Sequence, residues 1–289
     1  MPIVSLIAAP GALEPGTAET IRSAFGGAAL RWLSPREAAE FAVPSRPDSL
    51  GHVAGEMGML GVDVNLVPEE GRRKRLLLAD MDSTMIGQEC IDELADLAGV
   101  GAEVAAITAR AMNGEVDFEG ALEARVALLE GLEEGAVGRV LAERITYAPG
   151  GAQLVATMRA HGAWAALVSG GFTAFTGPVA AHFGFDEHRA NVLEAAGGRL
   201  TGRALRPYLG RAAKVEALAG IAAARGLSAE DAVAVGDGAN DLGMIGAAGL
   251  GVAIHAKPVV AAAAPARIEH GDLTAVLYLQ GYAREEFAG

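Results

Sequence analysis

Two runs of this chain are apolar at every position and stop abruptly at acids. Leu76-Leu-Leu-Ala79 ends at Asp80, and Ala232-Val-Ala-Val235 ends at Gly236-Asp237. Strands buried on both faces read this way in parallel sheets, where helices cover each side. Trp164-Ala-Ala-Leu-Val168 has the same character and ends in Ser169-Gly170-Gly171. Other segments carry a helical period. Ile91, Leu94, Leu97 and Ala98 recur at that spacing, as do Phe118, Leu122, Val126 and Leu129. This stretch, about 87–145, is too long for a simple crossover and predicts a helical insertion that caps the strand ends. Helices are further predicted over Phe172–Phe183, Ala212–Ala224 and Leu242–Ala248, with a hairpin from Val192 to Thr201. Thr274–Tyr282 predicts an apolar helix docked on the sheet. The sum is an α/β fold, a doubly wound parallel sheet with a helical cap inserted after its first core strand.

Residues 1–70 predict a separate, small α+β module. Ile3–Ala8 reads as a strand, and Thr17–Phe25 as a helix with Thr17 as its cap and Glu19 in its first turn. Ala28–Leu33 reads as a strand. Ser34–Phe41 reads as a helix start with Pro35 at its first position. Pro44–Pro47 is a turn, Asp48–Leu60 a helix, and Val62–Val67 an alternating strand. Pro68-Glu-Glu-Gly-Arg-Arg-Lys-Arg75 is expected to be a solvated linker, with the second domain spanning 74–289.

Composition narrows the function classes. Of 289 residues, 51% are apolar, ample for a core, and the net charge of −13 argues against sequence-independent nucleic-acid binding. Binding a small anion would then rest on local groups and a metal. The lone cysteine, Cys90, cannot form an internal disulfide. Its neighbours Glu89, Asp92 and Glu93 would raise the thiol pKa, so it reads as a helix residue, not a nucleophile. The uncharged stretch Gly162–Ala181 is about 20 residues, long enough to span a bilayer. Its serine, glycines, threonines and proline fit a strand, a turn and a helix better. The N-terminus lacks a signal-peptide layout, and a soluble, cytoplasmic protein is expected.

The chemistry concentrates at strand ends, where open α/β sheets bind ligands. Asp80 and Asp82 can hold a hard cation, and one can act as a nucleophile; Asp-x-Asp-Ser also reads as an Asx-type turn. Gly236-Asp237-Gly238-Ala-Asn240-Asp241 is a second acidic cluster, which alone reads as a turn. Strands of one parallel sheet end on one edge, so the two clusters could share a metal. Ser169-Gly170-Gly171 precedes a helix whose free N–H groups suit an anion. Lys214 stands near a helix N-terminus, the wrong end for the dipole; a phosphate would account for it, and a solvated helix face is the plain alternative.

Asp80-Met-Asp82-Ser-Thr84, Ser169-Gly170, Lys214 and Gly236-Asp237-Gly238-Ala-Asn240-Asp241, in this order, resemble the four motifs of haloacid dehalogenase-type phosphatases. The segments Glu89-Cys-Ile-Asp-Glu93, Ile107-Thr-Ala-Arg-Ala-Met112, Asp117-Phe118-Glu119 and Leu122-Glu-Ala-Arg125-Val126 are similar to the phosphoserine phosphatases among them. The resemblance covers about residues 74–282. It implies Mg²⁺-dependent hydrolysis of O-phosphoserine through an aspartyl-phosphate. Asp80 would be the nucleophile and Asp82 the acid and base. Asp80, Asp237 and the Asp82 backbone carbonyl would bind the metal, supported by Asp241 and Thr84. Ser169, Gly170, Lys214 and Asn240 would hold phosphate. Arg125 would clamp the substrate carboxylate, Glu89 would meet its ammonium, and Met112 and Phe118 would line the pocket. The N-terminal module resembles the degenerate ACT-like domains found ahead of some of these enzymes. The expected partner is the small phosphate alone, with no nucleic acid and no membrane, and a homodimer is compatible with this. Rival readings are the same core acting on another small phosphate, transfer to an alcohol such as homoserine, or a catalytically inactive amino-acid-sensing protein. A P-loop kinase is excluded by the absence of Gly-x-x-x-x-Gly-Lys-[Ser/Thr].

Overall fold

In the computed structural model, which describes residues 1–112 and 115–289 (Met112 by its backbone only), the chain builds two sheets. The first holds β1 (Pro2–Ala8), β2 (Arg31–Ser34), β3 (Ala38–Ala42) and β4 (Val62–Pro68), with α1 (Pro15–Ala24) and α2 (Leu50–Gly58). Its order β2-β3-β1-β4 is antiparallel throughout, a split βαβ arrangement. Alternation along β1 sets its two faces: Val4 and Leu6 pack with α1 and α2, while Ile3 and Ile7 turn to the rest of the molecule.

Four local expectations fail here, wholly or in part. Ser34–Phe41 is not a helix but a turn into β3. Proline favours the second position of a turn as well as the first of a helix. Pro35 takes the turn, Arg36 adopts φ 58°, and the Glu37 N–H donates to the Ser34 carbonyl at 3.2 Å. Pairing with β1 then outweighs the helix preference of Ala-Ala-Glu. Helix α1 starts at Pro15 after Glu14, so Thr17 lies inside it and does not cap it, and the second strand begins at Arg31, not Ala28. The basic linker is solvated only in part: Arg73 and Arg75 are exposed, but Arg72 and Lys74 are engaged by the fold. Arg72 forms a two-pronged pair with buried Glu40 at 2.8 and 2.9 Å. Lys74 is buried, and its Nζ donates to the Glu230 carbonyl at 2.8 Å.

The second sheet is centred on β5 (Leu76–Ala79). The cap helices α3 (Cys90–Ala98), α4 (Gly101–Met112), α5 (Phe118–Ala127) and α6 (Gly135–Glu143) follow, then α7 (Gly151–Ala160) and β6 (Trp164–Phe172). Next come α8 (Thr173–Phe183), the hairpin β7 (Glu187–Ala196) and β8 (Arg199–Leu205), α9 (Arg211–Ala224), β9 (Ala232–Gly236) and α10 (Leu242–Ala247). The chain ends with β10 (Leu250–Ile254), α11 (Pro258–Ala263), β11 (Ala266–Ile268) and α12 (Ala275–Leu279). The order is β11-β10-β9-β5-β6-β7-β8, parallel except for the antiparallel hairpin. In register, Ala79 pairs with Leu167 on one side and Val235 on the other. Asp80 therefore emerges between the Ser169 turn and the Gly236-Asp237 turn. Asp117 caps α5, accepting the Gly120 N–H at 2.8 Å.

The hairpin is longer than expected and serves the cap. The Gly131 N–H donates to the Leu200 carbonyl and the Leu200 N–H to the Leu132 carbonyl, each at 2.9 Å. The final helix is only five residues, all buried, and shares a core with Ile3, Ile7 and Val67 of the first sheet. The two sheets are also stitched by side chains of β4. Asp63 accepts the N–H groups of Glu269 and His270 at 3.0 Å. The Asn65 carboxamide donates to the Arg267 carbonyl and accepts its N–H, at 2.9 and 2.8 Å. Among the described residues, no helix is long and apolar enough to cross a membrane.

Candidate active site

Asp80 is the first residue past β5, and its N–H still donates to the Val235 carbonyl at 3.0 Å, so the ladder fixes its position. Lys214 enters from the first turn of α9 and is fully buried. Its Nζ lies 2.6 Å from Asp80 Oδ1 and 2.6 Å from Asp241 Oδ1. The contact with Asp241 is a hydrogen bond. The Asp80 contact is an ion pair of the same length. Burial opposes the lysine charge, but the two carboxylates outweigh it and push its pKa up to about 12. Burial, then the nearby Asp241, holds the Asp80 carboxyl well above the usual carboxylate range.

Carboxylate oxygens of Asp80, Asp237 and Asp241 lie within 4.8 Å of one another. Asp241 is already engaged: Oδ1 meets Lys214 and Oδ2 accepts the Gly238 N–H at 3.0 Å. Asp237 accepts the Thr84 hydroxyl at 3.3 Å, and burial, then Asp241 and Glu89, pushes its pKa up to about 6. Asp80 and Asp241 thus share Lys214, and with Asp237 they form an oxygen-only donor set with more negative than positive charge. That charge excess and those donors fit a hard divalent cation.

Asp82 lies above the Ser169 turn. A Cβ on Gly171 would stand 2.8 Å from Asp82 Oδ2 and 3.1 Å from Ser169 Oγ, so only glycine lets these groups approach. Burial, then Glu89, pushes the Asp82 pKa up to about 7, and its Oδ1 accepts the Cys90 N–H at 3.3 Å. The Cys90 thiol is pushed far up, by its own burial first and then by Asp82, and is no nucleophile. Ser169 is buried and its Oγ accepts the Gly171 N–H at 2.9 Å. The Gly170 carbonyl accepts the Asn191 carboxamide at 2.7 Å. Asn240 folds back on Gly238, where a Cβ would meet its Oδ1 at 2.2 Å.

The cap brings further groups to this edge. Glu89 is exposed and accepts the Ser83 hydroxyl at 2.8 Å. Arg125 is half-buried; its Nε donates to the Ala121 carbonyl at 3.2 Å, and the guanidinium lies in the field of Asp92, Glu89 and Asp82. Phe118 is exposed, not packed in a core. Its ring covers Gly210, where a Cβ would come within 3.0 Å, and approaches Gly170. The Met112 side chain lies outside the described residues. Three contributors escaped the sequence reading: Ser83, at φ 56° inside the first motif, Gly171, whose missing side chain makes room for Asp82, and Asn191, which no motif marks.

The model of the haloacid dehalogenase-like hydrolase family matches residues 77–245. A phosphoserine phosphatase of Streptomyces coelicolor is 47% identical over 236 residues, 81% of this chain, though the chain spans only 57% of that relative. A phosphoserine phosphatase of Albidiferax ferrireducens is 47% identical over 210 residues, 71% of this chain and 89% of its own. The crystal structure of an unliganded probable phosphoserine phosphatase from Vibrio cholerae superposes with a TM-score of 0.79 at 32% identity, covering 99% of this chain and 88% of that one. The chain belongs to the haloacid dehalogenase-like hydrolases and, within them, to the phosphoserine phosphatase family.

Proposed function

We propose that the protein hydrolyses O-phospho-L-serine to serine and inorganic phosphate, the last step of serine biosynthesis, with Mg²⁺ as its metal. The observation that carries this reading is the Asp80 carboxylate, held between the Ser169-Gly170 turn and Asp237 with Lys214 Nζ at 2.6 Å. Phosphoryl transfer asks mainly for positioning and charge neutralisation, which this edge supplies. Asp80 attacks phosphorus while the bond to the serine oxygen breaks, and Asp82 gives that oxygen a proton. Asp82 then takes a proton from water as the water attacks the aspartyl-phosphate, releasing Asp80. A carboxyl with a pKa near neutrality suits both directions of transfer. Ser169, the Gly170 N–H, Lys214 and Asn240 hold the phosphoryl oxygens. Asp80, Asp237 and the Asp82 carbonyl would hold Mg²⁺, with Asp241 and Thr84 orienting them. The cation, when bound, offsets charge on the phosphoryl oxygens.

Arg125 reads the substrate carboxylate and Glu89 its ammonium, with Met112 and Phe118 lining the pocket. The catalytic unit is 74–289 with its cap at about 87–145, and 1–70 is an appended module whose βαββαβ order suits an ACT-like assignment. A cytoplasmic setting suits a free amino-acid phosphate as substrate. The test is phosphate release across a panel of small phosphate esters, with and without acceptor alcohols. Phosphoserine should be cleaved fastest, with phosphate as the product. Preference for another ester, or transfer to homoserine in place of release, would replace this reading.

A further inference from the structure

Asn191 lies on β7, outside the metal cluster, the cap and every motif, and is only 1% exposed. Buried polar side chains are retained with partners, and the partners here are specific. Its Nδ2 donates to the Gly170 carbonyl at 2.7 Å and lies 3.4 Å from the Leu209 carbonyl; its Oδ1 accepts the Leu209 N–H at 2.7 Å. The position explains the need. Strands β6 and β7 pair at Val168 and again at Phe172, and the register slips between them, at Ser169-Gly170-Gly171. The ladder is broken where the anion-binding turn forms, and one carboxamide takes the place of the missing strand-to-strand bonds.

The other end of the clamp matters as much. Leu209 and Gly210 lead directly into α9, and the Gly210 carbonyl accepts the Lys214 N–H at 3.1 Å. The Ser169 turn and the backbone carrying Lys214 come from elements far apart in sequence. Asn191 hydrogen-bonds to both and links them. We propose that Asn191 is a positioning residue that sets the spacing between the Ser169-Gly170-Gly171 turn and Lys214, and so the tightness with which the phosphoryl group is held. This rests on the phosphatase reading above.

The discriminating feature is where the damage falls. Asn191 faces the phosphoryl end of the site and not the cap, so its loss should affect all phosphate esters alike. Asn191→Ala is expected to lower kcat/KM at least tenfold for both phosphoserine and an aryl phosphate, and to weaken inhibition by inorganic phosphate by a similar factor. Asn191→Asp keeps an acceptor for the Leu209 N–H but sets a negative oxygen against the Gly170 carbonyl, and should lose more. Each value is corrected for the folded fraction, read by circular dichroism at the assay temperature; Asn191→Ser replaces either variant if it fails to fold, with the same pattern expected. Unchanged kinetics, a loss confined to phosphoserine, or a loss that vanishes on correction overturns the proposal. A wild-type protein that cleaves no phosphoserine would instead overturn the functional reading.

Discussion

Arg206 donates to Glu123 Oε1 at 2.8 Å, joining the loop ahead of α9 to cap helix α5. The same guanidinium reaches Glu119 at 2.8 Å, and the Tyr208 hydroxyl donates to Glu123 at 2.9 Å. Since α5 also carries Phe118 and Arg125, these contacts fix the helix that bears the proposed selecting groups. They are exposed and should be weakened by salt. Arg206→Ala is expected to raise KM for phosphoserine several-fold with little change in kcat. Wild-type KM should rise with ionic strength while the variant's stays flat; parallel salt curves for the two proteins would assign these contacts no part in substrate binding.

Among the described residues, Lys214 is the cation paired with Asp80 and Asp241 at the buried strand edge. Lys214→Met leaves two buried carboxylates without it, at a cost of about 3–5 kcal/mol for a broken buried pair. Denaturant unfolding of the metal-free protein should register that loss, and activity should fall with it. A variant as stable as wild type would mean that those carboxylates are neutral when buried.

Asp80 and Asp82 are chemically alike, and position alone assigns them different roles in the proposed mechanism. Asp80→Asn is expected to form no covalent phosphoenzyme. Asp82→Asn should bind phosphate yet slow both half-reactions, by about 10²–10⁴ for a lost acid or base. With an aryl phosphate, whose leaving group needs no proton, the first step should recover and label should accumulate on Asp80. Peptide mapping that places the label elsewhere would reverse the assignment.

Removing metal should do more than stop turnover. Asp80, Asp237 and Asp241 crowd negative charge within 4.8 Å, so a bound cation stabilises the native state by mass action. Chelation should lower Tm and abolish activity, and added Mg²⁺ should restore both. Full activity in a preparation shown to be metal-free would remove the cation from the mechanism.

The parallel sheet was legible because Leu76–Ala79 and Ala232–Val235 are short, apolar at every position and bounded by turn residues, a pattern that suits strands covered on both faces. The strand-end acids were legible because nothing in a core explains them. The β2–β3 turn was not, since Pro35 and the Ala-Ala-Glu that follows suit a helix until β1 is present to pair with. Nor was the burial of Lys74 or the pairing of Arg72, whose partners Glu230 and Glu40 are remote in sequence. Asn191 left no trace because its value lies in two backbone loops that only the fold brings together.

The pairing of Asn65 with both backbone groups of Arg267 has a consequence for how the molecule behaves in a crowd. Strand β11 is the last of its sheet, and a free strand edge is a template for other chains. The carboxamide imitates a neighbouring strand's peptide group, so the outward N–H and C=O of Arg267 are spoken for. The appended module thereby acts as an edge guard, whatever else it binds. Asn65→Ala should keep its catalytic rate yet self-associate as concentration rises, which light scattering would reveal; a variant that stays as dispersed as wild type would show the edge to be harmless.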